Sequence, residues 1–396
     1  MSIISIIQGI KMNISNDIKY IGVNDHKIDL FEGQYIVPNG MAYNSYVILD
    51  SKIAVLDTVD YDFKDEWLDN LAKVLQGRKP DYLVVHHMEC DHSSIIREFN
   101  RLYPEATIVS TMAAFNMMKN LFGAEFNPNK LVVKEGDILS LGNNSLKFIQ
   151  APNVHWPEVM FSYNEYEKVL FSADAFGKFG ANDVEDDEGW ACEARRYYFG
   201  IVGRFGVNVA NVLKKVSSLD IKTICPLHGP ILSDNIEYYV GLYDTWSKYE
   251  PENKGVAIAY TSVYGNTKEA VLYLVNKLKS LNVEVEAFDL ARDDMAEAVE
   301  RAFEYDRLVL ATTTYNGGIF PFMDSFINTL VEHNYQNRRV AFIENGMWGP
   351  MAIKTMKSKL EGLKDITYLD SNVTIKGHVN DDSKLALDKL AEELAK

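Results

Sequence analysis

The run His87-Met88-Glu89-Cys90-Asp91-His92 carries four metal-ligating side chains within six residues. Imidazole and carboxylate both suit divalent transition metals. A second His at the third position of such a run would favour zinc. Glu89 stands there instead, and its hard, charged oxygen tilts the site toward iron or manganese. Cys90 sits inside the run at the wrong parity for a ligand, and a soft thiolate is out of place among hard donors.

Three more segments offer ligands, and each leaves a predicted strand. His155 follows Leu146-Lys147-Phe148-Ile149 in the loop Ala151-Pro152-Asn153-Val154-His155-Trp156. Asp174 ends Leu170-Phe171-Ser172-Ala173-Asp174. His228 follows Thr223-Ile224-Cys225-Pro226-Leu227 and precedes Gly229. With the first run this makes four His, one Glu and two Asp. That inventory suffices for two metals about 3.5–4 Å apart with one carboxylate between them. A lone His is more often a packing residue, and a lone acid is more often solvated. What points to metal is that every candidate lies at the end of a strand. His86 is on the opposite face from His87 if the chain is still extended there, which favours a supporting or packing role. His26, His333 and His378 have no clustered partners.

A second constellation lies downstream. The strand Val256–Tyr260 runs into Thr261-Ser262-Val263-Tyr264-Gly265-Asn266-Thr267 and then a helix. Hydroxyls and free N–H groups at a helix N-terminus form an anion site. No Walker lysine follows, so a monophosphate cofactor suits this loop better than a nucleoside triphosphate. Two further loops leave later strands: Thr312-Thr313-Thr314-Tyr315-Asn316-Gly317-Gly318 and Glu344-Asn345-Gly346-Met347-Trp348-Gly349-Pro350. Parallel sheets bind ligands at the carboxyl ends of their strands. Gly lets the backbone approach a flat ring, and Tyr315 or Trp348 can stack on it. Taken alone, Trp348 reads equally well as a core or interface aromatic.

The elements that must position these loops fall into two patterns. Short β-rich runs, Ser45–Leu49, Ile53–Leu56, Tyr82–Val85, Leu146–Ile149, Val169–Ser172 and Thr223–Cys225, are separated by helical patterns over Phe63–Leu75 and Ser94–Leu102. That mixture predicts α/β architecture with substantial antiparallel pairing. After the polar stretch Tyr249–Gly255 the pattern becomes regular alternation. Strands are predicted at Val256–Tyr260, Val283–Val285, Arg307–Thr312 and Arg339–Ile343. Helices are predicted at Thr267–Leu278, Met295–Phe303 and Met323–Asn334. Such units build a doubly wound parallel sheet. The expected domains are therefore residues 1–250 and 251–396.

Composition narrows the partners. A net charge of −16 argues against nucleic-acid or anionic-membrane binding. Three scattered cysteines make neither a disulfide framework nor an iron–sulfur motif and fit a reducing cytoplasm. No apolar run approaches the roughly 20 residues of a membrane span. The apolar start of the chain lacks the features of a signal peptide. Met12 offers an alternative start, with residues 1–11 as an extension. The acidic stretch Asp183–Glu188 reads as a solvated loop, or alternatively as a gate or docking face.

With both constellations in place the chain resembles the flavodiiron proteins, from about residue 14 to its end. The first half resembles an αββα metallo-β-lactamase-like sandwich, and the second a flavodoxin. The family pattern His-x-Glu-x-Asp-His, then His, Asp and His, is matched by His87, Glu89, Asp91, His92, His155, Asp174 and His228. The resemblance implies one iron held by His87, Glu89 and His155, a second held by Asp91, His92 and His228, and Asp174 bridging them. His92 is the exposed point of that assignment, because the matching His swings away from the metal in some members. The resemblance also implies FMN in the second half. Electrons would come from a separate rubredoxin-like protein or from a soluble reductant such as reduced deazaflavin. It further implies a head-to-tail homodimer, or a dimer of dimers, in which one subunit's flavin faces the other's iron pair.

The function so implied is reduction of dioxygen to water, of nitric oxide to nitrous oxide, or both. Trp156, Tyr197 and Tyr198 are candidates for tuning the pocket. Two rivals belong to other classes. One is a binuclear zinc hydrolase fused to a flavodoxin, against which Glu89 argues. The other is a non-catalytic FMN electron carrier, against which the complete ligand set argues.

Overall fold

A computed structural model describes residues 14–185 and 189–396. Residues 1–13 and the end of the acidic stretch lie outside the described residues. The chain forms two compact units that divide between Asp244 and Thr245, ahead of the boundary expected at 250/251.

The first unit stacks two sheets. One has the strand order Ile18–Tyr20, Tyr46–Leu49, Ile53–Leu56, Tyr82–Val84, Thr107–Ser110 and Lys130–Val132. Its first pairings are antiparallel and the rest parallel. The other runs Ile138–Ser140, Ser145–Gln150, Met160–Asn164, Val169–Phe171 and Thr223–Cys225, parallel only in its last pair. Alternation decides which side chains enter the space between them. Tyr46 and Ile48 from one strand, Ala54 and Leu56 from the next, and Phe148, Met160 and Phe171 from the opposing sheet form one core. The helix Lys64–Leu75 covers an outer face with Trp67, Leu71 and Leu75 buried at four-residue spacing. The Trp67 indole N–H donates to Ser45 Oγ at 3.0 Å, the partner a buried indole needs.

The second unit is a parallel sheet in the order Val285–Asp289, Asn253–Tyr260, Tyr305–Tyr315, Arg338–Asn345, then Ile366–Tyr368 and Val373–Ile375. In chain order this is 2-1-3-4-5, the flavodoxin-like arrangement, whose switch point lies between the first and third strands. The second strand begins later than the expected Val283. Asn282 has φ 57° and closes the preceding helix, so extended pairing starts only at Val285 opposite Val256. The helix Pro321–Glu332 starts before the expected Met323 because Pro321 occupies its first turn, where a missing N–H costs nothing. The terminal helix Asp381–Leu394, not singled out in the sequence, buries Leu387, Leu390, Ala391 and Leu394. Among the described residues, no helix is long and apolar enough to cross a membrane.

Candidate functional site

All seven candidate ligands converge at strand ends of the first unit. His87 follows Tyr82–Val84, and a short helix, Cys90–Ser93, carries Asp91 and His92, with Glu89 just before it. That turn explains why the next helix begins at Ile96 and not at the expected Ser94. Asp174 follows Val169–Phe171 through Ala173 at φ 48°. His228 follows Thr223–Cys225. The turn after it is tight: Gly229 has φ 73°, and a Cβ there would fall 2.6 Å from Lys178 Cγ.

The side chains form two groups. His87, Glu89, His155 and Asp174 offer one set of donor atoms, and Asp91, His92 and His228 a second. In the first, His155 Nε2 lies 3.0 Å from Glu89 Oε2 and 3.0 Å from Asp174 Oδ2. His87 Nε2 lies 3.3 Å from Glu89 Oε2 and 3.4 Å from Asp174 Oδ2. In the second, His92 Nε2 and His228 Nε2 each lie 3.3 Å from Asp91 Oδ2. Asp174 Oδ1 faces this group, 3.4 Å from His92 Nε2. One carboxylate thus presents a different oxygen to each group.

Hydrogen bonding fixes which ring nitrogens are bare. The His228 Nδ1–H donates to the Ala42 carbonyl at 2.8 Å; a carbonyl only accepts, so the Nε2 lone pair faces the cluster. His87 Nδ1 lies 2.8 Å from Glu158 Oε1, which also accepts the Met88 N–H at 2.9 Å. These are the carboxylate and carbonyl partners that orient metal-bound imidazoles. His92 differs: its Nδ1 has no hydrogen-bond partner, so nothing equivalent anchors its ring. Glu158, fully buried with its other oxygen unpartnered, carried no signal in the sequence beyond its position near His155. His86 turns away from the cluster, as expected for the opposite face. Its ring nitrogens meet Asp57 at 2.5 Å and Ser162 at 2.7 Å.

Electrostatics tests whether metal fits. Both oxygens of Asp174 and of Asp91 are buried and receive no hydrogen bond, a costly state for a carboxylate without a cation. Burial opposes charge on Asp174, but His87, His155 and His92 outweigh it and hold the carboxyl well below its usual range. Burial opposes a proton on His155 too, yet Asp174 and Glu89 raise it to about 9. Burial, helped by Glu89 and Asp174, pushes Asp91 up to about 7. Burial and His92 push His228 down to about 3. Two cations would satisfy every one of these groups together, so the residues fit a pair of metal ions.

Of the residues named for tuning, Trp156 packs its ring 5.2 Å from His87 and 6.0 Å from His155. The Tyr197 ring lies 5.5 Å from His228. Tyr198 turns elsewhere, toward Phe199 and Tyr243.

The second unit gathers its three loops around a cleft of about 560 Å³ at the switch point. Ser262, Val263, Tyr264, Asn266 and Thr267 line it from the first loop. Thr313, Thr314, Tyr315, Asn316 and Gly317 come from the second, and Asn345, Gly346, Trp348 and Gly349 from the third. Thr261, Gly265 and Gly318 do not line it. Thr261 is buried with its hydroxyl 2.6 Å from that of Thr312. Gly265, at φ 91°, caps the helix Asn266–Ser280 without a side-chain bond, leaving early N–H groups for an anion. Gly318 begins the short strand Gly318–Ile319. Met347 and Gly377, not among the expected residues, complete the lining. Gly377 follows the last strand, so the rule about carboxyl ends could have flagged it. The loops brace one another: Asn345 Nδ2–H donates to the Gly377 carbonyl at 2.8 Å, and the Gly377 N–H returns to Asn345 Oδ1 at 3.0 Å. Among the described residues, no charged side chain lines the cleft, which fits a phosphate held by N–H and hydroxyl groups, and a flat ring beside Tyr315 and Trp348.

Comparison with known proteins points the same way. The ODP family beta lactamase matches residues 41–229, and a flavodoxin domain matches 257–372. A nitric oxide reductase from Moorella thermoacetica is 31% identical over 360 residues, covering 89% of this chain and 90% of its own. The rubredoxin oxygen:oxidoreductase of Desulfovibrio gigas superposes with a TM-score of 0.88 at 25% identity, covering 97% of each chain. A flavodiiron protein from Giardia intestinalis gives 0.89 at 26% identity, covering 97% of this chain and 96% of its own.

Proposed function

This chain belongs to the flavodiiron proteins, and on that premise we propose that it reduces dioxygen to water, nitric oxide to nitrous oxide, or both. When bound, FMN and two irons would supply the electron steps and the open coordination positions at which either gas is reduced. The observation that carries this reading is Asp174, whose two oxygens face two separate ligand groups. His87, Glu89 and His155 would hold one iron, and Asp91, His92 and His228 the other. Glu158 and the Ala42 carbonyl keep His87 and His228 in the tautomers that present Nε2. The buried pocket around them keeps bulk water from the reacting gas. In the second unit, the first loop would hold the phosphate while Tyr315 and Trp348 flank the ring. The relative named a nitric oxide reductase and the neighbour named a rubredoxin oxygen:oxidoreductase support both gases as substrates.

Electrons would come from a separate donor, a rubredoxin-like protein or reduced deazaflavin. The rim of the flavin cleft suits a head-to-tail dimer or a dimer of dimers. Tyr264 is 92% exposed, Trp348 80% and Met347 68%, and apolar groups left this open mark a surface that docks. Three cysteines scattered through the sequence support a cytoplasmic setting. The test is to reduce the purified protein anaerobically, quantify iron and FMN, and compare consumption of the two gases by one preparation. Iron-replete, reduced protein that consumes neither gas would overturn the reading, as would two zinc ions per chain with thioester hydrolysis. If dilution to monomers leaves turnover intact, the dimer is not required.

A further inference from the structure

A series of aromatic rings leads away from the candidate metal ligands. Tyr197 closes the helix Trp190–Tyr197. Its ring is 5.5 Å from that of His228, and its hydroxyl is buried without a hydrogen-bond partner. The next residue, Tyr198, brings its ring 5.1 Å from Tyr243. Tyr243 is 6.5 Å from Trp190, Trp190 is 4.8 Å from Tyr239, and Tyr239 is 5.4 Å from Tyr238. Tyr238 is 45% exposed, so the series ends at the surface. Tyr243 also meets the metal side directly. It stacks on Phe176 at 4.2 Å, and its hydroxyl accepts the Phe176 N–H at 2.5 Å, two residues beyond Asp174. Burial raises both Tyr197 and Tyr243, and the charge of Asp174 adds to each.

Packing alone does not call for this composition. At Tyr197, Phe would fill the same space without burying a hydroxyl that has no hydrogen-bond partner, a burial that costs free energy. Phenols and indoles do differ from Phe in how readily they give up an electron. Electron transfer weakens steeply with distance; from Tyr198 to Tyr238 successive ring centroids lie 4.8–6.5 Å apart, and Tyr197 joins Tyr198 through the backbone of adjacent residues.

We propose that Tyr197, Tyr198, Tyr243, Trp190, Tyr239 and Tyr238 form a relay that carries oxidising equivalents from the metal site to the surface when donor electrons run short. The electron balance is simple for hydrogen peroxide as oxidant. One peroxide takes two electrons and two protons, its O–O bond breaks, and it leaves as two waters. Two phenols supply them, each losing one electron and its hydroxyl proton to become a neutral phenoxyl radical. Inner rings recover an electron and a proton from outer ones until each radical in turn reaches Tyr238, where an external thiol returns a hydrogen atom; two thiols are spent per peroxide, and the two thiyl radicals couple to a disulfide. The relay rests on the reading of the metal centre as oxygen-reducing.

The test uses iron-loaded, FMN-loaded protein whose dioxygen consumption has first been measured. The sample is kept oxidised, so that neither iron nor flavin holds electrons for the oxidant, freed of donor and treated with hydrogen peroxide. Expected are a tyrosyl radical signal by electron paramagnetic resonance and oxidation mapped by mass spectrometry to Trp190, Tyr239 and Tyr238. In Tyr243→Phe, which keeps the ring, that outer oxidation should fall at least fivefold while oxidation of the metal-ligating histidines rises. Tyr238→Phe, altered only at the surface, should move the terminal radical to Tyr239. Equal outer oxidation in wild type, Tyr243→Phe and metal-free protein would overturn the relay, since peroxide would then be reaching those rings from solvent. Absence of any radical or outer oxidation in a sample that consumes dioxygen would overturn it equally. A sample that binds iron but consumes no dioxygen or nitric oxide fails the functional reading instead.

Discussion

The metal pocket and the flavin cleft solve opposite problems. In the first, His87, His92, Asp174 and His228 are all fully buried, and function resides in charged side chains. In the second, the lining is uncharged and rich in glycine, hydroxyl and amide residues, and its largest ring, Trp348, is 80% exposed. Buried charges are expensive to leave unpaired, so the metal pocket must be complete within the fold, down to Glu158 and the Ala42 carbonyl. The flavin cleft buries little of its own and leaves its faces for a cofactor and a partner to cover. Mutations should therefore be severe and chemically specific in one unit, and graded in the other.

The strongest way to break that contrast is at Asp174, whose two oxygens face the two candidate ligand groups. Asp174→Ala should empty both positions and cut gas consumption by more than about 100-fold, beyond the effect typical of outer partners. FMN content should not change. Iron and flavin assayed on the same sample decide it; a variant that keeps two irons per chain would show that the two groups are not joined through Asp174. Glu158→Gln is the next step down. It leaves every direct ligand in place but removes the charge that orients His87, so metal affinity should weaken by about 10–100-fold. Competition with a chelator measures this, and an unchanged affinity would mean that burial alone fixes the His87 ring.

Proton linkage gives a third test, confined to the metal-free protein. His155 is raised to about 9 by Asp174 and Glu89 against the pull of burial. A histidine raised in the folded state stabilises fully below its unfolded value of about 6.5 and loses that contribution as pH rises through its folded one. The metal-free chain should thus lose on the order of 3 kcal/mol between pH 6.5 and 9. His87 and His92, also raised, act in the same direction. Asp91, raised by burial to about 7, agrees in sign. His228, depressed to about 3, acts in the opposite sense, but only up to its unfolded value of about 6.5, so it offsets little across that window. Metal replaces the protons, so loaded protein should show a much flatter profile in urea denaturation. Equal slopes in loaded and metal-free samples would sink the assignment.

The two regions also differed in how far the sequence disclosed them. Side chains able to ligate announce themselves by type and spacing, and the seven candidate ligands that the fold brings together were legible for that reason. What orients them was not. Glu158 reaches His87 across 71 positions of sequence, and the Ala42 carbonyl that fixes His228 has no side-chain signature at all. In the flavin cleft the loops were legible from strand–helix alternation, but membership within a loop was not. Thr261 and Gly265 lie in the right segment yet shape it from beneath or at its cap, while Gly377 arrives from a loop with no chemistry of its own. The late start at Val285 has a similar origin, since the turn at Asn282 is set by backbone conformation and not by apolar pattern.

The smallest expected effect is at Trp348, where the two regions should differ most plainly. Its side chain is 80% exposed, so removing it takes little from the core, and surface changes of this kind stay within about 0.5 kcal/mol. What Trp348→Ala would lose is stacking on the flavin ring, worth about 0.5–1.5 kcal/mol for an aromatic pair. FMN should therefore bind roughly 2- to 10-fold more weakly, with Trp348→Phe in between, while iron content and the unfolding midpoint of the FMN-free protein stay at wild-type values. Flavin fluorescence titration and thermal unfolding measure the two halves separately. A fall in stability without a fall in affinity would mean that Trp348 packs against its own unit. A loss beyond about 100-fold would exceed anything stacking supplies, and the flavin cleft would then be as dependent on one side chain as the metal pocket is on Asp174.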